Sequence, residues 1–207
     1  MVFLITIAGG SGSGKTTIAE EVKEYFKNHV LLISIDHYYK DLSNLNQEDR
    51  DKTNFDHPNA IDWELLRKQL KELLSGKAVK MPIYSFTTHT RKGSESIKPK
   101  EIIILEGIFA LCDEEINKMS NLRIFVDTEP DIRFIRRLKR DMEKRGRTDE
   151  SVITQWMETV KPMNDLFIEP TKRKAHIIMP EDPDGGMRCK AVDLMKVKIE
   201  ERIKKNN

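Results

Sequence analysis

Five short apolar runs recur along the chain, and polar turns and segments with helical spacing lie between them. The runs cover 2–8, 30–35, 101–105, 122–126 and 176–179. They are nearly continuous rather than alternating, as in parallel strands that are covered on both faces. Together with the intervening helical segments they predict an α/β fold, with a parallel sheet of about five strands flanked by helices.

The segments between the runs repeat their apolar residues at helical spacing. Asp62 is suited to cap one of the predicted helices, and Gly76 is suited to end it. Two prolines, Pro162 and Pro170, interrupt the longest helical segment. The predicted helices lie at 16–27, 62–75, 129–144, 151–174 and 189–205.

One stretch departs from this order of strands and helices. Residues 78–91 (AVKMPIYSFTTHTR) alternate apolar and polar side chains and include a proline, which is typical of a short antiparallel hairpin. We predict a small insertion there, at about 77–98, beside the rim of the sheet. Its residues Tyr84, Phe86 and His89 either line a ligand pocket or pack the insertion together.

The first apolar run leads directly into a glycine-rich turn. Residues 9–17 read GGSGSGKTT, and Gly9, Gly14, Lys15 and Thr16 occupy the fixed positions of the pattern G-x-x-x-x-G-K-[ST]. Glycines let backbone N–H groups surround a polyphosphate, and the following helix directs its positive end at the same anion. The flanking strand and helix favour nucleotide binding over an ordinary glycine- and serine-rich turn. Lys15 would then reach the β- and γ-phosphates, and the Thr16 hydroxyl would bind Mg²⁺.

Acidic residues follow two of the predicted strands. Asp36 ends the run at 30–35, and Glu106 ends the run at 101–105. Ligands of parallel sheets lie outside the carboxyl ends of the strands, so both carboxylates are expected on the same rim as the glycine-rich turn. Asp36 either caps a local turn or acts on a substrate. Glu106 is placed to hold Mg²⁺ or its water.

Basic residues are concentrated in the helix at 129–144 and in the turn after it. They include Arg133, Arg136, Arg137 and Arg140, and Arg145 and Arg147 follow. One interpretation is that they form ion pairs with Asp141 and Glu143. The other is a mobile lid, at about 133–160, whose guanidinium groups close on a transferring phosphate and exclude water.

The composition narrows the classes of function. The chain has 207 residues with 36 basic and 34 acidic side chains, a net charge of +2, which argues against a dedicated nucleic-acid or membrane surface. No stretch approaches the ~18 apolar residues of a membrane span. The two cysteines, Cys112 and Cys189, form no C-x-x-C motif, so neither a disulfide framework nor a zinc site is expected. A reducing cytosol fits this usage.

Longer segments resemble the uridine kinase (uridine–cytidine kinase) family of phosphate-loop nucleoside kinases, in that family's order over 5–193. Two of them, FDHP at 55–58 and Y-x-x-x-x-H-T-R at 84–91, are more specific than the glycine-rich turn. The other segments are D-x-Y-Y at 36–39, ILEGIFAL at 104–111, FVDTEPDIRFIRRLKRD at 125–141, RGR at 145–147 and EPTKRKAHIIMP at 169–180.

The resemblance implies a single P-loop NTPase domain over 1–207. It implies transfer of the γ-phosphoryl group of ATP or GTP to the 5′-hydroxyl of uridine or cytidine, with Mg²⁺ as a cofactor. It further implies a cytoplasmic homotetramer that binds neither nucleic acid nor membrane.

The resemblance also assigns residues to roles. The catalytic set is Asp36 as general base with Lys15, Arg137 and Arg140. The donor would be bound by Gly9, Gly10, Ser11, Gly12, Ser13, Gly14, Lys15, Thr16, Thr17, Arg145 and Asp184. The nucleoside would be bound by Asp36, Tyr39, Phe55, Asp56, Tyr84, Phe86, His89, Ile108, Arg137, Arg147 and Gln155. Mg²⁺ would be held by Thr16, Asp36 and Glu106, directly or through water.

Two alternatives stay open at this point. One is another small-molecule kinase of the same fold, similar to phosphoribulokinase or pantothenate kinase, which should lack the FDHP segment and the Tyr84/His89 pocket. The other is a nucleotide-binding regulator without turnover, which the joint presence of Lys15, Asp36 and Glu106 disfavours. The chain departs from the family pattern at Asn59, Ser85, Lys174 and His176 and in a long segment at 181–190.

Overall fold

Seven strands form two sheets in the computed structural model, which describes residues 2–180 and 186–206. The strands are β1 (Phe3–Ala8), β2 (Val30–Ser34), β3 (Val79–Ser85), β4 (Thr90–Ile97), β5 (Ile102–Glu106), β6 (Leu122–Asp127) and β7 (Ile177–Pro180). Five of them are parallel and lie in the order β2-β5-β1-β6-β7, while β3 and β4 pair with each other. The predicted parallel sheet of five strands is confirmed.

Helices connect the parallel strands, and all of them except two short ones, Gln47–Asp51 and Glu114–Met119, correspond to helical segments predicted from the apolar spacing. They are α1 (Lys15–Tyr25), α2 (Gln47–Asp51), α3 (Trp63–Leu74), α4 (Glu114–Met119), α5 (Pro130–Arg145), α6 (Asp149–Gln155), α7 (Lys161–Met163) and α8 (Gly186–Asn206). Asp62 caps α3 by accepting a hydrogen bond from the backbone N–H of Leu65 at 3.1 Å. No helix within the described ranges is long and apolar enough to cross a membrane.

Strand β1 lies at the centre of the parallel sheet and divides the core into two halves. Its alternate side chains point to opposite faces. Leu4 belongs to a cluster with residues of α3 and the β3–β4 hairpin, whereas Ile5 and Ile7 pack with residues of α1 and α8. Because both faces are covered, the strand is apolar at almost every position, which explains its continuous sequence pattern.

The β3–β4 hairpin stands outside the parallel sheet, as predicted. Its register shifts between Pro82 and Tyr84, where the strand carries a bulge or irregularity. Arg91 anchors the hairpin to the main domain, because its Nε donates to the backbone carbonyl of Tyr39 at 3.1 Å and its Nη2 to Asp62 at 3.0 Å. The hairpin therefore lies beside the turn that follows β2.

The long helical segment after α6 is not a regular α-helix. Two π-helical turns, Trp156–Val160 and Asn164–Ile168, flank α7, and a 3₁₀ segment follows at Glu169–Lys174. Pro162 and Pro170 lie at the starts of α7 and of the 3₁₀ segment. A proline lacks the N–H that a regular helix needs, so the wider turns accommodate the interruptions predicted from the sequence.

Candidate active site

The glycine-rich loop after β1 is held in a shape that most residues cannot adopt. Gly9, Gly12 and Gly14 have φ angles of +151°, +82° and +89°. A Cβ at Gly12 would lie 2.3 Å from the backbone oxygen of Arg133, and one at Gly9 would lie 2.5 Å from that of Val126. The glycine loop therefore packs closely against the end of β6 and the start of α5. Its inner surface is formed by the loop's own backbone.

Helix α1 begins at Lys15 without a side-chain cap, because Gly14 occupies the N-cap position. The first N–H groups of α1 therefore point into the space that the loop encloses, as in sites that bind phosphate. The Ser13 hydroxyl is buried, and no hydrogen-bond partner for it exists among the described residues. A phosphate oxygen would satisfy these donors, so the loop fits the polyphosphate predicted for Gly9, Gly10, Ser11, Gly12, Ser13, Gly14, Lys15, Thr16 and Thr17.

Two carboxylates meet the loop at the carboxyl ends of adjacent strands. Ser34 pairs with Glu106 in the sheet register, and Asp36 lies in the 3₁₀ turn that follows β2. The Thr16 hydroxyl donates to Glu106 at 3.0 Å. Burial and the neighbouring Glu106 charge raise the pKa of Asp36, although Lys15 partly offsets them. Burial likewise lowers the pKa of Lys15 against the opposing effect of both carboxylates.

The three residues predicted to hold Mg²⁺ offer a hydroxyl and two carboxylates. Among the described residues, no group of three or more His, Cys, Asp or Glu side chains could hold a metal ion alone. This donor set suits Mg²⁺, which keeps several waters and is bound through one or two carboxylates and the phosphates of a substrate. A metal at Thr16, Asp36 and Glu106 would depend on the nucleotide for the rest of its ligands.

The arginine-rich end of α5 lies over the glycine loop. Arg137 donates from Nη1 to the Ser11 hydroxyl at 2.8 Å and from Nη2 to the Gln155 amide oxygen at 2.8 Å. Arg147 also donates to Gln155. The ion-pair interpretation holds for Asp141, which lies within 4 Å of Arg137, Arg140, Arg145 and Arg147. Glu143, the other acidic residue predicted to pair with these arginines, is exposed.

Arg133 has a different position from the other arginines of α5. Its side chain is buried and donates to the backbone oxygen of Thr128 at 3.0 Å and to the Asn164 side-chain oxygen at 3.2 Å. It also lies against the Trp156 ring. Arg133 therefore fixes the start of α5 to the following helical segment. Its guanidinium also lies against the glycine loop, because a Cβ added at Gly10 would be 2.1 Å from Nη1 of Arg133.

Aromatic side chains from three segments cluster beside Asp36. Tyr39 contacts both Phe55 and Tyr84, with ring centroids 5.4 and 5.2 Å apart. Phe55 stacks on His89 with centroids 4.4 Å apart, and the Tyr84 hydroxyl lies 3.4 Å from His89 Nδ1. His89 has a φ of +52°, which is uncommon outside glycine and is often found at functional turns. Phe86 is half exposed and packs edge-on against Tyr84.

Asp56 places a buried carboxylate between the aromatic cluster and the arginines. Its Oδ2 accepts a hydrogen bond from Thr159 at 3.2 Å. Burial raises the pKa of Asp56, and the Arg137 and Arg147 charges oppose that shift. Ile108 packs, partly buried, against the core cluster on the α3 face. Asp184 lies outside the described residues.

Comparison with known proteins identifies the family to which this chain belongs. The model of the phosphoribulokinase/uridine kinase family matches residues 4–187. The chain belongs to this family. It is 52% identical to the uridine kinase of Lactobacillus johnsonii over 199 residues, covering 95% of this chain and 93% of that protein. It is 50% identical to the uridine kinase of Ligilactobacillus salivarius over 204 residues, covering 98% and 94%.

The fold is also that of solved kinases. The phosphoribulokinase of Rhodobacter spheroides superposes with a TM-score of 0.63 at 14% identity, over 86% of this chain and 70% of that one. As a member of this kinase family, the chain is a phosphotransferase that uses a nucleotide as phosphoryl donor. The family and the P-loop kinase fold predicted from the sequence are confirmed.

Two residues of this family member's site were not predicted from the sequence, and the contacts of a third were predicted only in part. Thr159 binds Asp56 across 103 residues of chain, and no local pattern marks that contact. Arg91 holds the hairpin, and its only signal is the HTR segment in which it stands. Asp141 was considered as an ion-pair partner, but its contact with four arginines was not anticipated.

Proposed function

We propose that the chain is a uridine–cytidine kinase, which transfers the γ-phosphoryl group of ATP or GTP to the 5′-hydroxyl of uridine or cytidine. The observation that carries this proposal is the position of Asp36. It lies beside the glycine loop and Glu106 on one side and near the Tyr39, Tyr84 and His89 cluster on the other. The uridine kinase relatives, at about half identity over nearly their full length, support the same conclusion.

Asp36 would align the 5′-hydroxyl of the nucleoside and accept its proton. A general base is most effective when its pKa lies near the working pH, and burial raises the pKa of Asp36 toward that range. Asp36 has to accept the proton only as the oxygen–phosphorus bond forms. A raised pKa of Asp36 therefore favours the transfer step and does not prevent the nucleoside from binding.

The donor side would neutralise the charge that spreads over the transferring phosphoryl group. Lys15 and the backbone N–H groups of the loop would hold the phosphates, and Arg137, Arg140 and Arg145 would approach from the α5 end. Mg²⁺ would be held by Thr16, Asp36 and Glu106, where it would neutralise phosphate charge. Gathering these groups around one atom supplies most of the catalysis expected for phosphoryl transfer.

The nucleoside would be held by side chains rather than by backbone. Asp56, with Gln155 and Arg147 nearby, would bind the ribose hydroxyls, while Tyr84 and His89 would bind the pyrimidine edge. Phe55, Phe86, Tyr39 and Ile108 would surround the base. The imidazole of His89 can donate or accept a hydrogen bond according to its tautomer, so both uridine and cytidine are expected as acceptors.

We also propose a cytosolic location and assembly into a tetramer. Cys112 is a free thiol whose pKa burial raises to about 12, which suits a reducing compartment. The tetramer follows from the family resemblance, and sedimentation of the purified protein would test it. Exposed apolar side chains on β7 and α8 offer surface for such contacts: Ile177, Ile178, Leu194 and Val197.

The test is ADP release with Mg·ATP against a panel of acceptors: uridine, cytidine, adenosine, thymidine, ribulose 5-phosphate and pantothenate, with a blank. Turnover with uridine and cytidine alone is expected. Turnover with ribulose 5-phosphate or pantothenate would keep the donor site and refute the roles of Tyr84 and His89. Binding of ATP without turnover on any acceptor would favour the regulatory alternative.

A further inference from the structure

Asp141 is the most deeply buried charged residue at the arginine-rich end of α5. Its side chain is 0% exposed. A carboxylate withdrawn from water is unfavourable unless cations or hydrogen bonds surround it. The burial of Asp141 therefore requires cationic or hydrogen-bonding side chains around its carboxylate.

Four guanidinium groups surround this carboxylate. Oδ1 lies 2.8 and 2.9 Å from Nη2 and Nε of Arg140 and 3.5 Å from Nη1 of Arg145. Oδ2 lies 3.5 Å from Nε of Arg137 and 3.7 Å from Nη1 of Arg147. Only the Arg140 contacts are short hydrogen bonds, so the other three arginines are held mainly by charge and keep N–H groups for other acceptors.

The backbone of Asp141 reinforces the same arrangement. Its carbonyl oxygen accepts hydrogen bonds from the N–H groups of Gly146 and, at 3.2 Å, Arg147. Gly146 adopts a left-handed conformation with φ +63°, which lets the chain fold back at the end of α5. One residue thus fixes both the turn that carries Arg145 and Arg147 and the charges of their side chains.

Without a counter-charge, the four guanidinium groups would repel one another. Burial and the nearby Arg140 and Arg145 charges lower the pKa of Arg137, whereas Asp56 and Asp141 oppose that shift. With Asp141 in place, Arg137 reaches the Ser11 hydroxyl of the glycine loop at 2.8 Å. Asp141 and Asp56 together do not balance the four guanidinium groups, so positive charge remains beside the loop.

We propose that Asp141 is a positioning residue, which gathers Arg137, Arg140 and Arg145 into a preorganised site for the terminal phosphoryl group of the donor. Preorganised charges of this kind are worth more than charges that must rearrange during the reaction. Asp141 acts through the arginines rather than on the substrate. This inference builds on the proposed kinase function, because it assigns the arginines to the transferring group.

The test compares Asp141→Asn, Asp141→Glu and the control Glu143→Gln, whose side chain is exposed on the same helix. In D141N we expect kcat to fall about 100-fold, the effect of misplacing catalytic groups by about 1 Å. The KM for uridine should stay within about threefold, since Arg137, Arg140 and Arg145 would act on the donor phosphate. Arg147, on the nucleoside side, lies 3.7 Å from Asp141 and is also held by Gln155 and Ser151. D141E should show an intermediate kcat, and E143Q should match the unmodified protein.

A second measurement needs no turnover. Titration calorimetry with ATP and with ADP gives the ratio of their dissociation constants, which reports recognition of the terminal phosphoryl group. We expect D141N to reduce the preference for ATP about fivefold, about 1 kcal/mol. If the unmodified protein binds ATP but phosphorylates no nucleoside, the proposed function fails, and this ratio still tests Asp141.

A merely structural role would give a different result. It would lower the melting temperature and change kcat and the uridine KM together, with D141E no better than D141N. That pattern, or a kcat of D141N within threefold of the unmodified protein, would overturn the proposal. If D141N does not fold, D141E decides: a tenfold lower kcat at unchanged uridine KM supports the proposal, and an unchanged kcat refutes it.

Discussion

The donor side and the acceptor side of this site are built in different ways. The donor side is a run of consecutive residues, 9–17, whose backbone forms the lining. A Cβ added at Gly9 or Gly12 would meet neighbouring backbone at 2.5 or 2.3 Å. The acceptor side is a set of side chains from separate segments: Tyr39 contacts the rings of Phe55 and Tyr84, and His89 contacts Phe55 and the Tyr84 hydroxyl. One side depends on backbone shape and the other on side-chain packing.

This difference separates recognition of the two substrates. Phosphates are alike in every nucleotide, so a backbone cradle binds them without reading the base. A nucleoside is recognised by its edge and its ribose hydroxyls, which requires side chains of particular chemistry. Substitutions on the two sides should therefore affect different constants, and a substitution of Asp36, which borders both sides, should affect mainly the transfer step.

Replacing Asp36, which lies between the donor side and the acceptor side, should have the largest effect. In Asp36→Asn we expect kcat to fall about 10²- to 10⁴-fold, because the general base is lost, while uridine and ATP bind within about threefold of normal. Steady-state kinetics and calorimetry measure the two effects. Asp127→Asn is the matched control, since Asp127 also ends a strand but pairs with Lys172 at 2.6 Å. A near-normal kcat in D36N would refute the assignment.

A change in the backbone cradle should affect the nucleotide alone. In Gly12→Ala the added Cβ cannot fit beside the Arg133 carbonyl, so loop N–H groups lose contact with phosphate. We expect ATP affinity to fall about ten- to hundredfold, as for the loss of one charge-assisted hydrogen bond, with uridine affinity unchanged. Gly76→Ala controls for backbone strain, because Gly76 has a similar φ of +87° with nothing within 4 Å. Equal losses of ATP affinity in Gly12→Ala and Gly76→Ala would show that backbone strain, and not a lost phosphate contact, causes the effect.

A change in the aromatic cluster should affect the nucleoside alone. His89→Asn keeps a residue that tolerates positive φ but removes the ring that stacks on Phe55. We expect the KM for uridine and cytidine to rise about tenfold, about 1.4 kcal/mol, with ATP affinity unchanged. Thr87→Ala, an exposed change in the same turn, should leave both constants as they are. A loss of ATP affinity in H89N would show that the two sides are not separate.

The smallest expected effect concerns stability. Burial raises the pKa of Asp36 above its ordinary 3.8, so the folded protein favours the protonated form. The ionised carboxylate therefore lowers the free energy of unfolding as pH rises through the raised pKa, and below 3.8 the effect is absent. Without ligands, D36N should melt about 2–4 °C higher than the unmodified protein at pH 7, the effect of about 1 kcal/mol, with a smaller gain at lower pH. An equal gain at all pH values would contradict this.

The sequence pattern predicted the parallel sheet because each strand is buried on both faces and therefore apolar throughout. The predicted run 101–105 differs from β5 (Ile102–Glu106) by one residue. The second hairpin strand ends at Ile97, within the insertion predicted at about 77–98. The alternating pattern itself stops at 91, since residues 92–96 are exposed and carry no apolar side chains at regular spacing. Helix α2 was not predicted, because it is a five-residue polar helix that depends on the Asn46 cap.

The site was predictable where it is contiguous. The glycine loop is recognisable in nine residues, and the strand-end carboxylates follow from the rule that ligands lie at the carboxyl edge of a parallel sheet. The Asp56–Thr159 contact depends on how the π-helical turn Trp156–Val160 packs against the segment that carries Asp56. The surroundings of Asp141 depend on how the chain folds back after α5. Local spacing encodes neither arrangement.

The position of β1 in the sheet has a consequence for the synthesis of the chain. Phe3 pairs with Ile102, and Thr16 donates to Glu106 across 90 residues. The glycine loop is translated before either strand that pairs with β1, since β5 and β6 both follow it in the chain, and closing so long a loop is entropically slow. The nascent protein therefore carries its most recognisable sequence motif through the translation of 90 further residues before the sheet can fix that motif in place.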